Sequence, residues 1–366
     1  MNCAALRETR LTELAGLRKS GRKILGYSSH LVPVEIIRAV GGIPVRLMRG
    51  GYPAETAGLR FLRPDACPHC LSSLGNFALS APDSFYPLVD AFVSVNTCDL
   101  ARRLPESIRV HFRLPTFELY LPRTSEPFPH RLAEFGRQLG WLGHELAAFC
   151  GTQFDLARLA EAIRQEEALR AALRRFEQEH APAESEVLDL VTLATTLDPE
   201  TFLRHHRSYG TNRTYRPDCN RPRLMLVGSE LAEDDRWLVR VVEEQADIVA
   251  DLVSEGRAWY ADSCPQRGEP LADLASFCYF RQPAVFRRPN DYTYERIREL
   301  ALRAGVQGIV LKTLLFCDAW NLETERMRAA LGLPLLHLES NYAPEHREQM
   351  RTRVEAFLES LEPSTP

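Results

Sequence analysis

The stretch VDAFVSV at residues 89–95 decides the fold class of this chain. It is apolar almost throughout, which is the pattern of a strand buried in a parallel sheet. Around it, short β-type runs at 23–27 and 43–47 alternate with helical patterns at 33–40 and near 71–79. A further short strand is expected near 109–112. This βαβ rhythm predicts a doubly wound parallel sheet in the N-terminal part.

The same rhythm restarts after residue 222. Strands are predicted at 223–227, 247–251, 308–312 and 335–338, and helices at 234–244, 292–304, 322–331 and 344–361. Gly305 and Gly332 follow two of these helices, as residues that end a helix commonly do. Residues 254–289 carry no clear periodicity and are expected to be irregular.

Strand patterns are missing between the two parts. Helical periodicity covers 130–150, 154–180 and 184–195, and a polar, proline-containing stretch at 210–222 is typical of a linker. The predicted fold class is therefore α/β. Two doubly wound (Rossmann/flavodoxin-like) parallel-sheet domains, at 1–126 and 211–366, are expected to flank an all-helical section at 127–210.

Composition narrows the function classes. The 366 residues are enough for two domains, and 45% hydrophobic with 26% charged residues predicts a real core. A formal net charge of −4 offers no basic field for nucleic acid or an anionic membrane. The sequence shows no apolar run of membrane-spanning length and no signal-peptide pattern. Nine cysteines then indicate a cytoplasmic protein with reduced thiols.

Nucleotide-binding motifs are not evident. The sequence contains no GxxxxGK[ST] phosphate loop, and no GxGxxG follows a predicted strand. Gly228 and Ser229 after the strand at 223–227 form at best a weak anion nest. The chain is therefore expected to be neither an ATPase nor a standard dinucleotide dehydrogenase.

Cysteines follow strands at matched positions in the two parts. Cys98 comes just after the strand at 89–95, and Cys317 follows the strand at 308–312. Ligands of open α/β sheets bind beyond the carboxyl ends of the strands, so each part presents one cysteine at its functional edge. Cys67 precedes a predicted helix, whose N-terminus favours the thiolate that metals bind.

The cysteine spacings leave two interpretations open. The separations exceed those of any local zinc or ferredoxin motif, so the three thiols are either metal ligands or small buried residues at strand ends. Cys150 lies in an apolar helical stretch and is expected in the core. The remaining cysteines have no motif context and no assigned role: Cys3, Cys219, Cys264 and Cys278.

Short motifs along nearly the whole chain resemble those of one known family. They occur in the same order: GYSSHLVPVEII (26–37), AVGGIPV (39–45), the Cys67 segment ending in SSL (72–74), NTCD (96–99), GVQGIV (305–310), Lys312, FCD (316–318), LPL (333–335) and RTRVEAF (351–357). Together they resemble the D-component family of 2-hydroxyglutaryl-CoA dehydratase. That family also contains benzoyl-CoA reductase subunits and double-cubane cluster proteins.

The resemblance implies a cofactor and partners. It implies a [4Fe–4S] cluster held by Cys67, Cys98 and Cys317, with one iron left for water, a bridging sulfide or a substrate oxygen. Electrons would come from a separate ATP-dependent iron–sulfur activator, which agrees with the missing phosphate loop. They would reach an acyl-CoA thioester for ketyl-radical dehydration or for reduction. The chain would work as a dimer with a paralogous subunit or with itself.

The substrate side departs from the family pattern. The family commonly has Pro-Glu-Glu where this chain has Pro33, Val34 and Glu35, and some members have a cysteine where this chain has a Ser28-Ser29-His30 loop. Ser28, Ser29, His30 and Glu35 are therefore the candidate catalytic residues, because a helix N-terminus can bind a thioester oxygen and a neutral imidazole can move protons. A simple helix-capping loop is the alternative.

Other residues and functions also stay open. Cys70 could be a spare ligand, Asp99 and Asp318 could cap helices, and Lys312 could offset a cluster's charge or snorkel from a strand end. A second function is a homodimeric double-cubane reductase of a small non-CoA substrate. A third is a zinc-stapled accessory protein that uses four thiolates, since thiolates suit either metal: Cys67, Cys70, Cys98 and Cys317.

Overall fold

Two four-stranded parallel sheets form the framework of the chain. The computed structural model describes residues 3–208, 221–343 and 345–361. The first sheet contains Ile24–Tyr27 (β1), Ile43–Arg46 (β2), Ala91–Val95 (β3) and Thr116–Leu119 (β4). The second contains Arg223–Gly228 (β5), Asp247–Leu252 (β6), Gly308–Leu314 (β7) and Leu335–Ser340 (β8).

The two sheets have the same topology. Their strand orders are β2-β1-β3-β4 and β6-β5-β7-β8, and every pairing is parallel. The strand order reverses between β1 and β3 in the first sheet and between β5 and β7 in the second. A crevice for ligands opens at such switch points, beyond the carboxyl ends of the two strands.

Helices surround both sheets and separate them along the chain. The first part contains Cys3–Lys19 (α1), Val34–Ala39 (α2), Tyr52–Gly58 (α3), Pro68–Leu79 (α4) and Asp99–Phe112 (α5). The helical section contains Pro129–Cys150 (α6), Leu156–His180 (α7), Glu184–Thr196 (α8) and Pro199–His205 (α9). The last part contains Arg236–Glu243 (α10), Pro270–Phe280 (α11), Asp291–Ala304 (α12), Asp318–Asn321 (α13), Thr324–Leu331 (α14) and His346–Leu361 (α15).

This architecture confirms the predicted fold class: two parallel α/β sheets separated by a helical section. Both sheets have buried strands, as the apolar runs indicated; all residues of β3 and β7 are buried. None of the helices in the described ranges is both long and apolar enough to cross a membrane. The predicted linker at 210–222 lies mostly outside the described residues, as does Cys219.

Two local predictions were wrong. Residues 109–112 end helix α5, and the strand of this region comes later, as β4. The helix prevails because Leu104 and Ile108 on one of its faces are buried in the core. The expected irregular stretch contains α11, which packs against α6 and α7 through buried Leu274 and Phe277.

Glycines bring helix α4, which Cys67 precedes, into backbone contact with α3. A Cβ atom on Gly75 would lie 1.7 Å from the carbonyl oxygen of Ala54, and one on Gly58 would lie 2.1 Å from that of Leu71. Only glycine allows so close an approach. The position of Cys67 at the start of α4 is therefore set by main-chain packing.

Buried polar contacts join the first sheet to the second. Arg46, the last residue of β2, forms an ion pair with Glu255 at 2.7 Å and donates to the Ser254 carbonyl at 3.1 Å. Its Nε also donates to the Ser28 carbonyl at 3.3 Å. Both Arg46 and Glu255 are buried. These contacts hold the loop after β1 beside the segment that follows β6.

Candidate functional site

A cavity of about 60 Å³ lies between the carboxyl edges of the two sheets. Both switch points contribute to its wall: most residues come from the segments that follow β1, β3, β5 and β7, and the others are Ser254 after β6 and Pro283, Val285 and Phe286 after α11. The polar and thiol-bearing side chains among them are Ser29, His30, Thr97, Cys98, Ser254, Glu230 and Cys317. The volume admits a few water molecules, so this is a small site.

The three cysteines singled out in the sequence occupy the same structural position. Cys67, Cys98 and Cys317 are the N-cap residues of α4, α5 and α13. The amide of Ala101 donates to the Cys98 Sγ at 3.4 Å. Backbone amides also favour the thiolates of Cys67, from His69 and Cys70, and of Cys317, from Trp320. The Cys98 sulfur thus caps its helix, whereas the side chains of Cys67 and Cys317 form no capping hydrogen bond.

Burial and mutual charge act against these thiolates. Desolvation raises the pKa of Cys98 to about 11 and holds the pKa of Cys317 well above its ordinary value. For both thiols, the charges of Cys67 and Glu230 add to that rise. The pKa of Cys67 is lowered instead, first because Cys70 donates a hydrogen bond to it. The Cys67 sulfur therefore carries the first negative charge in this group.

Two of the three cysteines line the cavity. Cys98 and Cys317 line the cavity, whereas Cys67 packs with Cys317 against an apolar cluster that includes Leu314 and Tyr342. Among the described residues, no three His, Cys, Asp or Glu side chains form a group that would hold a single metal ion. Sulfurs bound to one ion lie within two metal–sulfur bonds of about 2.3 Å, whereas ligands of a cluster bind different irons.

His30 is the most unusual polar residue on the wall. Only 4% of it is exposed, and neither ring nitrogen has a partner at hydrogen-bond geometry within the described structure. Desolvation, followed by the charges of Arg281 and Arg46, holds its pKa well below the ordinary value, although the nearby Gln282 backbone opposes this. His30 is therefore neutral at pH 7, with both nitrogens directed into protein or cavity.

The other predicted catalytic residues separate into two groups. Ser29 lines the cavity, and its hydroxyl accepts a hydrogen bond from the Leu31 amide at 3.2 Å. Ser28 offers its carbonyl to Arg46. Glu35 is not on the cavity wall: it is fully buried in an ion pair with Arg170 of α7. Glu35 therefore contributes to the packing of α2 against the helical section.

Residues beside the cysteines have mainly structural contacts. Asp99 pairs with Arg102 on the exposed face of α5, while Cys98 itself accepts the capping hydrogen bond. Asp318 is exposed. Lys312 does not snorkel to solvent: it is fully buried, with Nζ 2.8 Å from Asp235 and 3.0 Å from the Glu230 carbonyl. Cys70 is buried against Cys67.

The remaining described cysteines lie elsewhere. Cys150 ends α6 near Lys23 and Asp90, which precede β1 and β3 and so mark the amino edge of the first sheet. Cys264 and Cys278 are buried neighbours in the core beneath the helical section, where desolvation raises the pKa of both thiols. Glu230 is the site residue that the motif analysis missed. Its position just beyond the carboxyl end of β5 was the available signal.

The fold and the site define a class of protein: paired doubly wound sheets with a thiol-lined cavity where their switch points meet. The sequence profile of the 2-hydroxyglutaryl-CoA dehydratase D-component matches residues 30–361. The chain belongs to this family, which confirms the resemblance found in its motifs.

Relatives with dehydratase names match all or part of the chain. YjiM of Escherichia coli (strain K12), named as a dehydratase subunit, is 23% identical and covers 97% of this chain and 96% of its own. The beta subunit of (R)-2-hydroxyglutaryl-CoA dehydratase from Acidaminococcus fermentans is 20% identical over 96% of this chain and 95% of its own. The beta subunit of (R)-phenyllactyl-CoA dehydratase from Clostridium sporogenes is 24% identical over 37% of each chain.

Proposed function

We propose that this chain is an iron–sulfur subunit of a 2-hydroxyacyl-CoA dehydratase, or of a reductase like benzoyl-CoA reductase. Cys67, Cys98 and Cys317 would hold its [4Fe–4S] cluster. The observation that carries the proposal is the cavity that Cys98 and Cys317 line together, from the corresponding strand ends of two different sheets. In a chain of this family, that juxtaposition of thiols far apart in sequence supports a shared metal site.

The residues at the cavity fit such a group. Thiolates are the ligands of iron–sulfur clusters, and backbone amides directed at the sulfurs stabilise the negative charge of the bound form. The Ala101 amide at the start of α5 has this arrangement with the Cys98 sulfur. Since Cys98 and Cys317 are protonated without metal, binding would release protons from both. The cluster, when bound, would supply single electrons at low potential.

Ser29 and His30 would act on the substrate side. The two buried His30 nitrogens can donate one hydrogen bond and accept another, so the ring can orient a thioester oxygen or hold a proton at Nδ1 or Nε2. His30 is only 4% exposed, so its ring is shielded from bulk water. The proposal takes 1–126 and 211–366 as the domains on either side of the cavity, with the helical section at 127–210.

Partners follow from the same proposal. Two curated relatives are named as beta subunits, so we expect this chain to assemble with a related subunit or with a second copy of itself. A separate ATP-dependent activator would deliver the electrons, and an acyl-CoA would receive them. Whether the reaction is dehydration or reduction depends on that substrate.

Iron binding by matched cysteine variants tests the proposal. The full chain is reconstituted anaerobically with iron and sulfide, and iron per chain is measured together with the electron paramagnetic resonance (EPR) spectrum of the reduced protein. We expect about four irons per chain in the wild type. Cys98→Ser and Cys317→Ser should each lose most of this iron.

Cys150→Ser is the control, because Cys150 lies at the opposite edge of the first sheet. It should keep the wild-type iron content, and circular dichroism should show that all variants are folded. Equal iron in the three variants would refute the ligand assignment. A colourless protein that binds one zinc would support the zinc-stapled alternative instead.

A further inference from the structure

We propose that the hydroxyl of Tyr342 donates a hydrogen bond to a sulfur of the metal centre, either a cysteine thiolate or a sulfide of the cluster. This inference rests on the proposed function and adds to it a residue that tunes the centre without binding iron. Tyr342 lies two residues beyond β8, at the carboxyl edge of the second sheet.

The first observation is where the Tyr342 side chain packs. Tyr342 forms a small apolar cluster with Ala232, which follows β5, and Leu314, the last residue of β7. The side chains of Cys67 and Cys317 pack against this cluster. The ring therefore lies beside two of the three proposed iron ligands, although these come from different halves of the chain.

The second observation fixes the end of the ring that bears the hydroxyl. A Cβ atom on Gly50, between β2 and α3, would lie 2.6 Å from Tyr342 Cε1 and 2.8 Å from Tyr342 Cζ. The Tyr342 amide also donates to the Glu55 carboxylate of α3 at 3.3 Å. Tyr342 thus reaches from the second sheet to the first. Its hydroxyl is held at the junction where the carboxyl edges of the two sheets meet.

The third observation is that this hydroxyl has no partner. Tyr342 is 8% exposed, and in the described part of the chain its Oη is buried without a hydrogen bond. Buried tyrosine hydroxyls normally have a partner, because an unpaired one costs free energy. Tyr86 follows this rule: it is equally buried, and its hydroxyl donates to the Leu47 carbonyl at 3.4 Å.

The chemistry of the neighbours identifies the missing acceptor. A thiol sulfur accepts hydrogen bonds only weakly, whereas thiolates and sulfides bound to iron carry negative charge and accept them well. The competing acceptor is Asp235, whose Oδ1 is also buried without a partner among the described residues. Tyr342 and Asp235 do not bond to one another although both atoms are free. A cluster, in contrast, brings sulfides of its own in addition to the cysteine sulfurs.

Such a hydrogen bond would raise the reduction potential of the centre. Reduction adds an electron to a group that is already negative, and a donor directed at a sulfur stabilises the reduced form more than the oxidised form. Tyr342 would then set the potential at which the chain accepts electrons, while the cysteines hold the iron.

A redox titration monitored by EPR tests the inference. The full chain and its Tyr342→Phe variant are reconstituted anaerobically with iron and sulfide. We expect a lower reduction potential in Tyr342→Phe at unchanged iron content, because a donor to the centre is lost. Electron–nuclear double resonance of the reduced proteins prepared in H₂O and in D₂O should show an exchangeable proton coupling in the wild type that the variant lacks.

Tyr86→Phe is the matched control, since it removes a buried hydroxyl that already has a protein partner. It should keep the wild-type potential and proton couplings. Urea unfolding without iron should give the opposite order. Tyr86→Phe should be less stable than the wild type, whereas Tyr342→Phe should not, because its hydroxyl has no partner to lose among the described residues.

The outcomes separate this inference from the function beneath it. If iron-loaded Tyr342→Phe kept the wild-type potential and couplings, the Tyr342 assignment would be overturned and the proposed function would stand. A Tyr342→Phe protein that is destabilised without iron and keeps its potential would show that Asp235 is the acceptor, which also overturns it. The absence of any exchangeable coupling in the iron-loaded wild type would overturn it whatever the variant does. A wild type that binds no iron would overturn both proposals.

Discussion

The two sheets share one topology but differ at one pair of equivalent positions, Val93 on β3 and Lys312 on β7. Val93 lies opposite Tyr27, the last residue of β1, and Lys312 lies opposite Gly228, the last residue of β5. Each is fully buried, and a cysteine follows each by five residues. The first sheet therefore has an aliphatic side chain where the second has an ammonium group.

The difference shows how two sheets of one topology can form cavity walls of different charge. In the second sheet Lys312 holds the segment after β5 through Asp235 and the Glu230 carbonyl. In the first sheet the loop after β1 is held instead by Arg46, which donates to Ser28 and pairs with Glu255. The first wall presents a neutral imidazole, His30, and the second presents a carboxylate, Glu230. Electrostatics rather than backbone topology distinguishes the two.

The largest difference between the two sheets in the effect of a substitution on the free energy of unfolding is expected at a glycine. Gly228 lies in β5 and Gly26 lies in β1. A Cβ on Gly228, at φ +147°, would lie 1.8 Å from the Lys312 carbonyl oxygen, whereas one on Gly26 would meet a side-chain atom, Leu47 Cδ1, at 2.7 Å. Gly228→Ala should lower the free energy of unfolding by about 4 kcal/mol, the sum of backbone strain and overpacking. Gly26→Ala should cost only about 1–2 kcal/mol, because a side chain can move.

Urea unfolding of the two glycine variants measures these costs. A Gly228→Ala protein as stable as Gly26→Ala would mean that the carboxyl end of β5 adapts, and the fixed backbone around Glu230 would be in doubt.

Substitution in the buried Lys312–Asp235 pair should give the next largest loss of stability. Asp235→Asn leaves the Lys312 ammonium buried without its counter-charge, which typically costs about 3 kcal/mol or more. Adding Lys312→Met should recover most of that loss, because an apolar side chain makes the second sheet resemble the first at Val93. Chemical denaturation of the single and double variants is the measurement. A double variant less stable than Asp235→Asn alone would contradict this, and the ion pair would then be a net source of stability.

The smallest expected effect is a pH dependence of stability that comes from His69, beside Cys67 at the start of α4. Desolvation lowers its pKa to about 4 from an ordinary 6.5, partly opposed by the charge of Glu255 from the second half of the chain. Folded protein therefore keeps a neutral ring, while the unfolded chain takes up a proton as the pH falls below about 6.5. Between pH 7 and 5 the metal-free wild type should lose about 1–2 kcal/mol more stability than His69→Gln.

The check is a pair of urea unfolding curves for each protein, at pH 7 and pH 5. If the wild type and His69→Gln lost the same stability between pH 7 and pH 5, His69 would already be solvated or protonated in the native state.

Most strands could be predicted from the sequence, because buried parallel strands are short apolar runs with clear boundaries. Residues 89–95 and 308–312 are examples. The errors have a common cause. The run at 109–112 has local β-type character, but Leu104 and Ile108 bury one helical face of α5 in the core. Helix α11 was missed because it is apolar on nearly all sides, packed between α6, α7 and the first sheet, and so lacks amphipathic periodicity.

The site was predictable in part for a similar reason. Cys98 and Cys317 stood out because each follows a strand, and the structure places both on the lining of one cavity. Glu35 looked equivalent to His30 in sequence, yet a helix turn carries it away to Arg170. Glu230 follows a strand just as the cysteines do, but a glutamate at a loop is too common to be noticed. That its carboxylate has no hydrogen-bond or ion-pair partner among the described residues is visible only in three dimensions.

The sequence by itself determined the α/β class, the repeat of one strand–helix rhythm and the family, since these depend on local apolar periodicity and on short motifs in order. Tertiary structure alone decided that two switch points separated by the whole helical section face one another. That meeting depends on contacts between residues far apart in the chain, such as Arg46 with Glu255. Long-range ion pairs and backbone packing leave no periodic signal, because their partners are chosen by the fold and not by their neighbours in sequence.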